Sequence, residues 1–292
     1  MSGTEIIEKM KEVRETQTKI RSDFPNIEWP EPVLEPIFYG RFDKNPVINR
    51  KLMMDANTGI QFDIVSDQYD LIPHEVATHN LLQAIPAEFG KPELKFRMWA
   101  DGARFRLEAT FPELDKLEVK PGDPVQPKII QTNSLDRSTF YGFEFGATQL
   151  VCSNGMIAYK MESKTQRRHV LGASDLSELT ENMLESVKNF SEQVGIWSQW
   201  AQINIADREE LEVQIEDLKL SENEQKQVLM LPIIAHERKS LAELFNEKKA
   251  TLWDVGSALT QYTTHEVKSE QKAFDLERKT AEVLTKISRK AA

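Results

Sequence analysis

Cysteine is almost absent: Cys152 stands alone in 292 residues, which excludes an intrachain disulfide and any zinc site built from cysteines. It suits a reducing compartment. No stretch approaches the roughly 18 apolar residues that a membrane-spanning helix requires. Residues 1–19 carry charges where a secretory signal would carry an apolar run, so a cytoplasmic protein with no membrane partner is expected.

Positive charge is in deficit as well. Lys and Arg number 37 against 47 Asp and Glu, a formal net charge of -10, with the acidic excess crowded into residues 207–247. Coating nucleic acid by neutralising phosphates usually takes a basic surface, so a general coat is excluded and only a local basic site could serve. Histidine is scarce, and His74 and His79 lie five apart, missing the spacing of three or four that aligns two ligands on one helical face. No metal is expected. Phosphate-loop, dinucleotide-fingerprint and hydrolase-elbow patterns are all missing, so no cofactor is expected and an enzyme is disfavoured.

What is present divides the chain into three. Residues 1–45 read as an amphipathic N-terminal helix and a Pro-rich lead, since Ile6, Met10, Val13 and Ile20 fall at helical spacing and Pro25, Pro30, Pro32 and Pro36 then forbid helix. Residues 46–172 alternate as strands do and form an antiparallel β-rich domain. Residues 173–292 switch to helical period, with Leu176, Leu179, Met183, Val187, Phe190, Val194 and Trp197 in one stripe and a capping box at Ser221 and Glu224. The fold class is α+β: a mainly antiparallel sheet region followed by a helical C-terminal region. Trp197, Trp200 and Trp253 fit the core of the helical part. Stripes of this length also suit partner subunits, so a homo-oligomer is expected.

The clearest local signal is a hairpin turning at Asp101-Gly102, which pairs Trp99 with Arg104, Met98 with Phe105, Arg97 with Arg106, Phe96 with Leu107 and Lys95 with Glu108. One face is then apolar. The other gathers Lys95, Arg97, Trp99, Arg104 and Arg106, cations around an indole, as single-stranded nucleic acid favours. The alternative is an ordinary solvated sheet face. A second basic run, Lys160, Lys164, Arg167, Arg168 and His169, could join the hairpin in one groove or be an exposed connector. Cys152 and His169 are weak candidates for a nucleophile and base, because a lone cysteine ending an apolar strand is usually a packing residue. Asn154-Gly155 is expected as a tight turn, with a return strand after it.

Several segments resemble one family. Val65-Ser66-Asp67-Gln68-Tyr69-Asp70-Leu71-Ile72, then Leu150-Val151-Cys152-Ser153-Asn154-Gly155-Met156 with Arg168-His169, then Thr251-Leu252-Trp253 with Ala258-Leu259-Thr260-Gln261-Tyr262 and His265, are similar to the prokaryotic phage/plasmid-like group known as domain of unknown function 932. The resemblance implies a phage or mobile-element origin, hence a bacterial host cell, and supplies no reaction. With the cationic hairpin it makes a phage or mobile-element nucleic-acid-binding protein the leading expectation, binding or annealing single-stranded DNA in recombination. A protein–protein interaction or anti-defence factor with a host or phage protein as partner is the alternative, and a Cys152/His169 enzyme comes third.

Overall fold

The computed structural model describes residues 3–40, 45–149, 154–157, 164–167, 177–205, 208–233 and 239–291. Helix α1 (Gly3–Asp23) ends before Pro25, and Arg21 on its last turn donates from Nε to the buried Glu75 carboxylate at 2.7 Å. The prolines that follow keep the chain out of helix, as expected. They enter β1 (Pro32–Tyr39), which pairs antiparallel with β2 (Asn45–Asp55), and β2 pairs in turn with β3 (Gln61–Ser66). Proline is tolerated because β1 is an edge strand, with an outward N–H side that needs no donor. A boundary at residue 45 would therefore fall between paired strands. Leu34, Met53 and Val65 on the inner face pack with Tyr69 and Leu135.

Helix α2 (His74–Ala84) leads into a larger antiparallel sheet of β4 (Glu93–Trp99), β5 (Arg104–Thr110), β6 (Leu117–Glu118), β7 (Pro124–Ser134), β8 (Tyr141–Gln149), β9 (Asn154–Ile157) and β10 (Lys164–Arg167). Its order is β10-β8-β7-β5-β4, with β6 on β7 and β9 on β8. The β4–β5 register is the expected one throughout, from Trp99↔Arg104 to Lys95↔Glu108. Asp101 at φ 54 and Gly102 at φ 83 form the turn that matches strand twist, and the Ala103 amide closes it on the Ala100 carbonyl at 3.0 Å.

Two local expectations are corrected. Asn154 and Gly155 are strand residues paired with Gln149 and Thr148, because the ladder from β8 already claims their backbone. Lys164 and Arg167 lie in an edge strand on β8, not in a connector.

Helices α3 (Ser177–Lys188) and α4 (Phe190–Trp200) break the long stripe at Asn189. There follow α5 (Arg208–Gln214), α6 (Glu222–Met230), α7 (Leu241–Asn246), α8 (Leu252–His265) and α9 (Glu270–Ala291). Reciprocal caps open three of them: Ser221 with Glu224, Ser240 with Glu243, and Thr251 with Asp254. Pro232 follows the end of α6, as its missing donor demands. The α+β class stands, and one apolar cluster holds Ile20, Phe105, Phe143, Trp197, Trp253 and Ile287 together. On one sheet face Gln131 bonds α2 at Ala77, and Phe145 meets Phe190 of α4. On the other lies α9. No described helix is long and apolar enough to cross a membrane.

Candidate functional site

Alternation along β5 sends Phe105, Leu107 and Ala109 into the core and Arg104, Arg106 and Glu108 to the opposite face. That second face is the cationic one, and α9 lies on it. Arg97 donates to Glu270 at 2.9 Å, Trp99 donates its indole N–H to Gln271 at 3.0 Å, and Arg106 donates to Glu277. Arg104 is shared between Asp136, at 2.7 Å, and Gln271. Below them Glu108 takes Lys128 at 3.0 Å and Arg106 at 3.2 Å, while Glu144 takes Arg278 of α9 at 3.3 Å. The Arg106 and Arg278 guanidiniums lie 5.9 and 5.5 Å from the centroid of the Phe274 ring, whose centroid is 6.0 Å from that of Trp99.

The face expected to be open to solvent is therefore covered. Arg106 is 2% exposed and Lys128 1%, and Trp99 is half-buried; of the five hairpin residues only Lys95 is exposed. Burial alone would raise the Glu108 carboxyl, but Lys128, Arg106 and Arg97 overcome it and hold the group well below the usual carboxylate range. Burial likewise opposes the Arg106 charge, and Glu277 and Glu108 outweigh it. Desolvation, then Arg97, lowers the Lys95 ammonium. Charges so matched form a mutually neutralising layer, and they leave little field to attract phosphates.

The described part of the second basic run, Lys164 and Arg167, does not join this face from beside it. β10 and β4 are the two edges of the five-strand path, four spacings or about 19 Å apart. Lys164 and Arg167 thus sit across the sheet from the hairpin. Cys152, Arg168 and His169 lie outside the described residues. Among the described residues no group of His, Cys, Asp and Glu could hold a metal ion. His74 is structural: its ring stacks on Phe105, Nε2 lies 2.9 Å from the Gly102 carbonyl and Nδ1 lies 3.0 Å from the Asn133 amide nitrogen.

Two features that composition did not announce are open to solvent. The first is the far end of the β1–β2 hairpin. β3 pairs with β2 only as far as Arg50, so residues 37–39 and 45–49 extend past it as a two-stranded arm. Phe38, Tyr39 and Ile48 on this arm are 52%, 62% and 80% exposed. The second is a cleft of about 520 Å³ where the α1–β1 connector, the β2–β3 turn and the β4–β5 turn meet. Trp29, Phe96, Met98 and Trp99 line it, with Glu28, Asp55 and Asp101; no Lys, Arg or His is among its described lining residues.

The arm went unseen because prolines mask the apolar run in β1. The cover by α9 did leave a sequence signal: Glu277 sits in the buried stripe of that helix with Phe274, Ala281 and Leu284. A carboxylate in an apolar stripe needs a buried cation, and Arg106 is that cation. Residues 61–289 match the family model described as Domain of unknown function (DUF932). No curated protein and no solved structure matches the chain.

Proposed function

We propose, for a chain that belongs to the DUF932 family, that it acts as a self-assembling binding protein and that the β1–β2 arm is its binding element. The observation that carries this reading is the exposure of Phe38, Tyr39 and Ile48 together on a two-stranded overhang. A lone hairpin is marginal in water, and apolar side chains left exposed on both of its faces are expected to be covered by a partner. Light scattering on a gel-filtration column tests it. Wild-type protein should elute above its 33.6 kDa chain mass, and Phe38→Ser/Tyr39→Ser/Ile48→Ser should elute as a folded monomer. A wild-type protein that stays monomeric at all concentrations sinks the proposal.

A second reading keeps nucleic acid as the ligand but moves it to the arm. There Phe38 and Tyr39 stand exposed on the hairpin that also carries the exposed Arg50 and half-buried Lys51, rings and cations of the kind single strands use. Recombination or anti-defence roles would each be exerted through the same element. Anisotropy with a labelled single-stranded oligonucleotide separates the readings: Arg50→Ala/Lys51→Ala weakens this binding and leaves assembly mass unchanged only if the second one holds.

A further inference from the structure

The arm needs a place to seat, and the described residues include a surface of complementary chemistry. We infer that the arm of one copy docks in the Trp29/Trp99 cleft of a second copy, in a head-to-tail contact; this rests on the assembly reading above.

The cleft is suited to a cation carried on an apolar segment. Trp29, Phe96, Met98 and Trp99 give it an aromatic and apolar lining, and aromatic rings attract ammonium and guanidinium groups. Its carboxylates differ in readiness. Asp55 is already engaged by the Glu31 and Asn57 amides at 2.9 and 3.0 Å and by the Thr58 hydroxyl at 2.7 Å. Glu28 and Asp101 are exposed and have no partner among the described residues, so they are the ones free to meet an incoming charge. With no cation among the described lining residues, the cleft repels a polyanion.

The arm supplies the matching half. Phe38, Tyr39 and Ile48 are its apolar side chains, and at its base Arg50, which pairs with Ser66 of β3, is exposed with no carboxylate paired to it among the described residues.

A chain cannot satisfy its own cleft in this way. β1 starts at Pro32, two residues after the cleft residue Pro30, and runs seven residues to Tyr39, about 23 Å away. Arm and cleft thus lie at opposite ends of one hairpin and must pair between copies. Two different patches in contact make the interface heterologous, which propagates into a ring or a filament instead of stopping at a two-fold dimer.

A mixing experiment decides it. One protein carries Phe38→Ser/Tyr39→Ser, a disabled arm with an intact cleft. The other carries Glu28→Lys/Asp101→Lys, a reversed cleft with an intact arm, and a milder Glu28→Gln/Asp101→Asn version guards against misfolding, with circular dichroism confirming the fold. In sedimentation velocity each protein alone should be monomeric, and the mixture should give a one-to-one dimer that grows no further. If the reversed-cleft protein alone assembles like wild type, the cleft assignment fails while the arm reading stands. If both are monomeric and the mixture stays so, the contact is not head-to-tail and the inference is overturned. A monomeric wild type removes both readings at once.

Discussion

Arg106 of β5 and Glu277 of α9, 171 residues apart in sequence, form an ion pair in which both side chains are almost wholly buried. The pair fixes α9 on the sheet and closes the cationic hairpin face. Breaking one side leaves a buried charge without its partner, so Glu277→Ala should cost about 3–5 kcal/mol in chemical denaturation. Replacing both by apolar side chains, Arg106→Met/Glu277→Leu, should cost far less or stabilise, because Arg106 Nη2 has no hydrogen-bond partner among the described residues and the pair does not recover its full desolvation. A double variant as unstable as the single one would contradict this account.

The same layer makes stability depend on acid. Glu108 is held below the usual carboxylate range by Lys128, Arg106 and Arg97, against burial. Glu224 is held at about 2, chiefly by its bond from Lys272 and then by the Ser221 amide. A depressed carboxylate contributes stability that is complete above its unfolded value, about 4.3, and is lost as pH falls toward the folded value. Melting temperature should therefore stay level from neutral pH to about 5 and fall below it. Glu108→Gln should melt lower at neutral pH and lose less on acidification. An unchanged acid slope in that variant would place the proton uptake elsewhere.

Asp123 ties together two of the segments that carry the family resemblance. Its carboxylate accepts from Gln149, next to Leu150, and from the Trp253 indole, both at 2.6 Å, and it is fully buried. Trp253→Phe keeps most of the ring and removes the donor. The expected loss is about 1–3 kcal/mol, read by urea denaturation. A loss under half a kilocalorie would mean that water takes over the bond.

Much of the fold was legible because local chemistry specified it. Asp101-Gly102 can adopt the positive φ of a tight hairpin turn, and that alone set the register of ten facing residues. Ser221 and Glu224 marked a helix start for an equally local reason. The site was less legible because its meaning lay in pairings across the chain. Alternation put Arg97, Arg104 and Arg106 on one face correctly, but nothing nearby says that Glu270 and Glu277 will cover them. Asn154-Gly155 reads as a turn locally and becomes a strand once β8 offers its ladder. β1 was hidden by Pro32 and Pro36, which an edge strand accommodates.

Lys95 is the remaining test of the hairpin face, because it is the exposed cation there and can be removed without opening the buried layer. Arg97→Ala and Arg106→Ala would each break an intrachain ion pair, so any lost binding in them would be mixed with lost stability. Lys95→Ala avoids this. If α9 keeps the face closed, oligonucleotide affinity at low salt should be the same for Lys95→Ala as for wild type. A single cation contacting a single strand accounts for only about 0.7 in the slope of log affinity against log salt. A tenfold or greater loss on Lys95→Ala, with the slope falling by more than that, would mean that the helix moves away and the strand reaches Arg97 and Arg106 beneath it.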